Sequence, residues 1–324
     1  MSTAPVSVVI VNWNGRTALE RALPSVLESL QRAGDNAELV VVDNGSDDGS
    51  VEYLDTVGTS CRIIANEENR GFSPAANQGI EATNGTYVAL LNNDVVCDPD
   101  WLVRLVEVAD ADQGIGCAAA QLRYLDDPER INSAGIVVDL LGRPHDRHDG
   151  RSAGDEPASP VDVFGGSGGA LLLRRSMLDE IGLLDERFFA YFEDVDLAWR
   201  ARRAGWRSVY VPTAVVLHEH SATSGRIRGL KRYLSTRNHI WLVVKNASPL
   251  HLAIAVWLLV PHALWTVVND VVARDMSGTR GLLAAVRGVR YAVRRRHPPY
   301  LPVPSFSAPW TLRYGSISRH TASA

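Results

Sequence analysis

The sequence predicts an α/β protein built on a wound, mostly parallel sheet. Three observations carry that reading. Short β-branched runs alternate with helical stretches through the first third of the chain, the order that builds such a sheet. Two of the runs end in acidic turns, at Asp43 in VVVDNGSDDGS and at Asp94 in LNND. Ser73–Pro74 and Asp98–Pro99 repeat a cap-then-proline signal that opens helices between strands.

Val6–Val11 is a continuous β-branched run and reads as a buried parallel strand. Thr17 and Glu20 have the T-x-x-E spacing of a capping box, opening a helix that runs to Arg32. Glu38–Val42 is a second strand, closed by the Asn44–Gly45 turn, and Arg62–Ala65 is a third. Pro74–Ala82 should be helical, Tyr87–Leu91 a fourth strand, and a further helix should run through Val108. Beyond it the pattern loosens. Leu141–Pro160, rich in Gly, Pro, Asp and His, reads as a mobile loop. Val161–Phe164 and Ala170–Leu173 look like strands on either side of Gly165–Gly169. A helix carrying Asp194 should end near Gly205, followed by short strands at Ser208–Val211 and Ala214–Leu217. No internal repeat is visible.

The length of 324 residues suffices for one large domain or a domain with an appendage. A net charge of −4 conceals a strong asymmetry. Of 37 acids only Glu219, Asp270 and Asp275 lie beyond Arg200, against eighteen of the 33 Lys and Arg. A basic rear half is suited to an anionic surface or polymer. Cys61, Cys97 and Cys117 form no C-x-x-C and fit a reducing compartment better than a disulfide scaffold. The opening MSTAPVSVVIVNW has no basic region before its apolar run, so no secretory signal is expected.

Asn246–Asn269 carries no formal charge and is long enough to span a bilayer. Pro261 and His262 interrupt it, and basic residues flank both ends without the asymmetry that orients a span. Further on, Leu282, Val286, Val289 and Val293 share one helical face and Arg287, Arg290 and Arg294 another. That is the pattern of a helix lying on an anionic membrane. A surface element is favoured over a span or a pair of buried helices.

Chemistry concentrates at three acidic places. Asp43 ends a strand where a carboxylate can hold a nucleotide base or ribose, though D-N-G-S-D-D-G-S is also good turn chemistry. Asn92-Asn93-Asp94 follows YVALL, where one carboxylate suits Mg²⁺ or Mn²⁺ bridged to a diphosphate. His218, in LHEH, is a borderline ligand for the same ion or a structural histidine. Phe188–Trp206, FFAYFEDVDLAWRARRAGW, puts Glu193, Asp194 and Asp196 at the front of a basic helix. The helix dipole there favours an ionised Asp194, as a general base requires. Neither a G-x-x-x-x-G-K-[ST] loop nor a G-x-G-x-x-G after the first strand is present, which removes P-loop and dehydrogenase readings.

Taken together, VSVVIVNWNG, ELVVVDNGSDDGS, NRGFSPAANQGI, YVALLNNDV, GGALLLRR, FFAYFEDVDLAWRARRAGW and VVLHEHSATSG resemble the family 2 inverting glycosyltransferases. Their rhamnosyltransferase-like branch is the nearer match, and the resemblance covers Val6 to Lys245. It implies a GT-A fold with an acceptor-side extension and C-terminal helices. The expected division is a catalytic unit over 1–225, nucleotide-binding to 122 and acceptor-binding from 123, then a membrane-associated region over 226–324. The resemblance implies that Val11, Asn12 and Asp43 hold the base, with Arg70 and Asn77 lining the donor pocket. Asn92 and Asn93 would join the donor site, Asp94 and His218 would bind the divalent metal, and Asp194 would be the base. Trp199 and Arg200 would pack and support. One departure stands out: Asn92 occupies the first position of the usual D-x-D, leaving a single carboxylate there.

The implied reaction is single-displacement transfer from a nucleoside-diphosphate sugar, with dTDP-L-rhamnose the favoured donor and UDP-linked hexose or N-acetylhexosamine the alternative. The acceptor would be a glycan or polyprenyl-diphosphate-linked sugar, met peripherally on the cytoplasmic face of the cell membrane. No nucleic acid is expected among the partners. A processive synthase would need several spans and Q-x-x-R-W, and a nucleotidylyltransferase a Gly-rich, Arg-containing turn where this chain has NWNGRT. A non-catalytic nucleotide-sugar-binding protein is the rival from another class.

Overall fold

The β-branched runs align side by side in a ten-stranded sheet. The computed structural model describes residues 5–139, 142–219, 229–298, 306–307 and 311–312. β1 (Val6–Asn12), β2 (Ala37–Asp43), β3 (Arg62–Ala65) and β4 (Tyr87–Asn92) are parallel, in the spatial order β3-β2-β1-β4. The chain leaves β1 toward one edge and returns on its other side for β4. A wound sheet opens its crevice at such a reversal, outside the carboxyl ends of the strands.

Past β4 come β5 (Val95–Cys97), β6 (Ile115–Tyr124), β7 (Ile131–Ser133), β8 (Ile136–Val138), β9 (Pro144–Asp146), β10 (Val161–Val163), β11 (Ala170–Arg174) and β12 (Arg207–His218). β11 inserts antiparallel between β4 and β6, and β12 runs parallel to β6. β6 was not legible in the sequence, because IGCAAAQLRY is poor in strand-forming residues. Its first eight residues are nevertheless buried, so a central position overrides local propensity. The two strands expected around Pro212 form one, β12, whose pairing slips between Val211 and Val215. β9 lies inside the stretch read as a loop and forms a hairpin with β8 just ahead of it.

Alternation along the strands feeds two cores. Val8, Ile10, Ala89 and Leu91 pack toward α1 (Arg16–Ala33) and α4 (Trp101–Ala111), with Leu19, Leu23, Trp101 and Leu105. Val9, Val88 and Leu90 pack toward α3 (Phe72–Glu81), α5 (Arg175–Ile181) and α6 (Glu193–Arg203), with Ile80, Met177 and Leu197. Each such side chain fully withdrawn from water contributes roughly 1.5–3 kcal/mol. A short helix, α2 (Ser50–Val57), adds Leu54 to the first core.

The helix starts differ from the local signals. Gly15, not Thr17, precedes α1, and its first amide is capped by a distant residue: Arg16 N donates to Asp48 Oδ2 at 2.9 Å. Glu20 meets the Arg16 guanidinium instead of closing a capping box. α3 begins at Phe72, with the Ser73 hydroxyl buried and without a partner. Pro74 then falls in the first turn, where a missing N–H costs nothing.

Three helices follow β12: α7 (Leu230–Asn246), α8 (Pro249–Ala273) and α9 (Ser277–Arg294). α8 starts on Ser248, whose hydroxyl accepts from His251 N at 3.1 Å, and continues through Pro261. Among the described residues no helix is long and apolar enough to cross a membrane. α9 meets α7 through small residues, Gly278, Gly281, Ala285, Gly288 and Ala292, while Val286 and Val293 stay exposed. A Cβ on Gly288 would lie 2.2 Å from Trp241 Cζ2, so this close approach requires glycine.

A buried ion cluster joins α6 to these helices. Asp196 is fully buried; its Oδ2 accepts from Lys245 Nζ at 2.8 Å and Arg200 Nε at 2.9 Å, its Oδ1 from Asn246 Nδ2 at 2.8 Å. Lys245 also reaches Asp185 Oδ2 at 2.6 Å, to which the Tyr291 hydroxyl donates. Burial raises a carboxyl, but the charges of Lys245 and Arg200, with the hydrogen bonds, hold Asp196 well below the ordinary range. Lys245→Met should therefore cost about 3–5 kcal/mol in urea unfolding, because Asp196 would lose half its counter-charge in a dry site. The cluster's contribution is complete above the unfolded-chain value near pH ~4 and fades as pH falls toward the folded value. Asp196→Asn should accordingly flatten the acid side of the stability curve.

Candidate active site

The crevice at the β1/β4 reversal holds a cavity of about 430 Å³. Val11 and Trp13 line it from the end of β1, and Asn92, Asn93 and Asp94 from the end of β4. Ser167–Gly169, Glu193, Asp194 and His218 close it from the later strands and α6. Pro144, His145 and Asp146 of the β9 hairpin and Leu230, Lys231 and Leu234 of α7 form further wall. Asp94, Asp194 and His218, drawn from separate segments of the chain, thus share one cavity.

Asp94 and His218 meet because β5 pairs with β12, His218 standing opposite Val95. His218 Nε2 is 3.2 Å from Asp94 Oδ1. Asp94 Oδ1 is buried and accepts no hydrogen bond. On the far side of the ring, Nδ1 lies 2.9 Å from Asn132 Oδ1. Asn132's amide bonds the Tyr124 hydroxyl, which orients its oxygen toward the histidine. The partners then assign the proton to Nδ1 and make Nε2 an acceptor, with Asn92 Nδ2 at 3.3 Å. Two lone-pair atoms facing each other in a buried place are the donor set a cation satisfies, one hard oxygen and one imidazole nitrogen. Among the described residues no cluster of three or more His, Cys, Asp and Glu is present, so a bound ion would take its remaining ligands from substrate or water. Asn92 Nδ2 approaches the same Nε2 lone pair and would give way to a bound ion, and as a neutral amide it adds no second anion beside Asp94.

Asp194 stands in the first turn of α6 as the sequence predicts. Its Oδ2 accepts from Gly168 N at 2.9 Å and its Oδ1 from Val195 N at 2.7 Å. The helix-dipole argument alone predicts a lowered carboxyl, yet burial wins and raises it above the ordinary aspartate range, against the pull of those two amides. Glu193 is pushed up further, by burial first and then by the charge of Asp194. Its Oε2 is buried without a partner, so Glu193 keeps the proton and Asp194, with two amides on it, carries the charge.

The turn before α6 is bent out of the ordinary regions. Phe189, Tyr191 and Phe192 have φ of 67°, 70° and 73°, each costing about 1–3 kcal/mol. What holds them is Asn238 of α7, whose Nδ2 reaches the carbonyls of Phe188, Ala190 and Tyr191 at 3.0, 2.8 and 2.8 Å. Arg237 adds a bond to the Phe188 carbonyl, and Ser73 N donates to Phe189 O at 3.0 Å. Gly71, with φ of 95°, permits that contact: a Cβ there would lie 2.5 Å from the Phe189 ring.

The remaining predicted residues divide into wall and scaffold. Val11, Asn92 and Asn93 line the cavity. Asn12 does not; it donates to Asp43 Oδ2 at 2.8 Å and accepts from Asn93 Nδ2 at 2.7 Å. Asp43 is spent on that bond and on Ser46, whose hydroxyl and amide it accepts at 2.7 and 2.9 Å. Arg70 is exposed, its amide bonded to Asn44. Asn77 is buried against the turn before α6, bonding both N–H and C=O of Leu184 at 3.0 and 2.9 Å. Arg200 caps α5, donating to the carbonyls of Ile181, Gly182 and Leu183. Asn44, Asn132 and Asn238 were missed, since isolated asparagines carry no spacing signal; the motif residues His220–Gly225 lie outside the described residues.

The model of glycosyl transferase family 2 matches residues 7–182. An N-acetylglucosaminyl-diphospho-decaprenol L-rhamnosyltransferase of Mycobacterium tuberculosis is 31% identical over 247 residues, 69% of this chain and 79% of that protein. An uncharacterised protein of Sinorhizobium fredii is 32% identical over 234 residues, 69% of this chain but only 25% of its own length. A solved structure of GalNAc-T7 with UDP, GalNAc and Mn²⁺ superposes with a TM-score of 0.62 at 20% identity, covering 76% of this chain and 48% of that one. The fold is GT-A.

The clamp on the strained turn makes a direct prediction. Asn238→Leu, similar in size but without donors, should lower stability by about 1–3 kcal/mol. Amide hydrogen exchange should quicken across residues 188–192, whereas an unchanged pattern there would remove Asn238 from this role.

Proposed function

The chain belongs to glycosyl transferase family 2, and on that premise we propose that it moves L-rhamnose from dTDP-rhamnose to a polyprenyl-diphosphate-linked sugar. The observation that carries the reaction class is the shared cavity of Asp94, His218 and Asp194. The donor and acceptor rest on the rhamnosyltransferase relative, and the transfer serves cell-envelope polysaccharide synthesis. The enzyme works peripherally on the cytoplasmic face of the membrane, its catalytic unit in 1–225 completed by α7 and its membrane-facing part in the remainder of 226–324.

The donor's nucleotide lies over the β1 end, against Val11, Trp13 and Asn44. Asp43 and Asn12 act from behind, fixing the 43–46 turn and Asn93. Arg70 and Asn77 act as supports, Arg70 through the Asn44 loop and Asn77 through the turn that leads to α6. Asp94 and His218 would hold Mg²⁺ or Mn²⁺, which would supply positive charge toward the diphosphate of the donor. Asp194 takes the proton of the acceptor hydroxyl. The oxygen attacks the anomeric carbon from the face opposite the leaving group, the bond to diphosphate breaks, and the configuration inverts. The proton remains on Asp194 and the negative charge leaves with the nucleotide. Neutral Glu193 beside it offers no second charge to repel the developing alkoxide.

Asp194→Asn should fold, bind nucleotide and lose about two to four orders of magnitude in kcat. Turnover equal to wild type would end the assignment of the base. The pH profile gives a second check. The base must be ionised, and its carboxyl is raised, so kcat/KM should fall with decreasing pH at a higher pH than an ordinary aspartate near ~3.9 allows. Asp94→Asn and His218→Ala should each weaken Mn²⁺-dependent dTDP binding about tenfold or more by calorimetry, while leaving the thermal midpoint without metal nearly unchanged. A panel of dTDP-, UDP- and GDP-sugars scored by nucleoside-diphosphate release identifies the donor.

A further inference from the structure

α8 is amphipathic in the inverse sense. Its inner face carries His251, Thr266 and Asp270, all buried, with Asp270 bonded to Arg232 and to Thr279. Its outer face carries Trp257, Val260, Leu264, Trp265, Val268 and Val271, between 57% and 81% exposed. A helix in water turns these faces the other way round, because each exposed apolar side chain forgoes its burial. The chain bears no formal charge from Asn246 to Asn269 and no acid beyond Asp275. α9, which packs against α8, exposes Arg287, Arg290 and Arg294 together with Val286 and Val293.

We propose that the outer face of α8, flanked by these α9 arginines, is an in-plane docking surface for an anionic lipid bilayer. Charge decides the occupant. A wholly apolar protein partner would leave the arginines unmatched, whereas anionic headgroups pair with them while the tryptophans sit at the interface. The surface also adjoins the cavity. Arg232, which holds Asp270, follows Leu230 and Lys231 in α7, both of which line the cavity wall. Docking by this face brings that wall to the headgroup layer, where a diphosphate-linked lipid presents its sugar. The inference rests on the lipid-linked-acceptor reading for its purpose, and its test separates the two.

The full chain is floated with phosphatidylcholine vesicles, with and without phosphatidylglycerol, at low and high salt. Recovery with anionic vesicles should exceed that with neutral ones by about tenfold and fall with salt. Trp257→Ser/Trp265→Ser/Val268→Ser and Arg287→Glu/Arg290→Glu/Arg294→Glu should each reduce recovery by about tenfold. Both variants should keep nucleoside-diphosphate release with a water-soluble acceptor and lose it with a vesicle-borne one. The surface is overturned if wild type fails to float, or if the serine variant floats like wild type. It is equally overturned if wild type is a dimer that the serine substitutions split without changing flotation. Absent sugar transfer by a wild-type protein that floats would strike the reaction instead and leave the surface standing.

Discussion

A carboxylate with no exposed surface, Asp196, fixes the relation between the catalytic helix and everything after it. Two cations and an amide surround it, drawn from α6 itself and from the end of α7. Ionic groups this deep stabilise a particular arrangement only when all partners are present, since each alone carries an unpaid desolvation cost. Two residues earlier in the same helix stands Asp194. The cluster therefore sets where that carboxylate points, although it touches nothing in the cavity.

The same logic governs the turn leading into α6. Three residues with positive φ are unfavourable in isolation and persist because Asn238 and Arg237 hold the carbonyls of Phe188, Ala190 and Tyr191 within the same turn. α7 is thus part of the active-site architecture: it supplies the clamp, the counter-ion and a stretch of cavity wall. Its close union with α9 depends on a stripe of glycine and alanine, which leaves the larger apolar side chains of α9 facing outward, as those of α8 also do. One packing choice yields both the rigid site and the unpartnered surface.

The metal-side geometry gives Asn92 a function of its own. With Nδ1 of His218 committed to Asn132, the amide of Asn92 is the donor that Nε2 can meet near Asp94. A carboxylate in its place would add a second anion beside an already buried one. The departure from D-x-D is in this way consistent with a site whose ligand pair is Asp94 and His218 rather than two aspartates.

Read alone, the chain discloses the parallel half of the sheet, the order of its motifs, the family resemblance and the acidic ends of β2 and β4. These are legible because strand periodicity and turn chemistry act between neighbours in the chain. It did not reveal β6, whose alanines become a strand only through a central position, nor the cap that Asp48 provides for α1. The identities of Asp43, Asn12 and Asn77 were readable, but whether they face the cavity or brace it was not. Only the tertiary structure decided that, and it alone joined Asp94 to His218, drew Asn238 onto a turn some fifty residues away, and raised the Asp194 carboxyl. Each depends on desolvation or on contact between distant segments, and a linear pattern encodes neither.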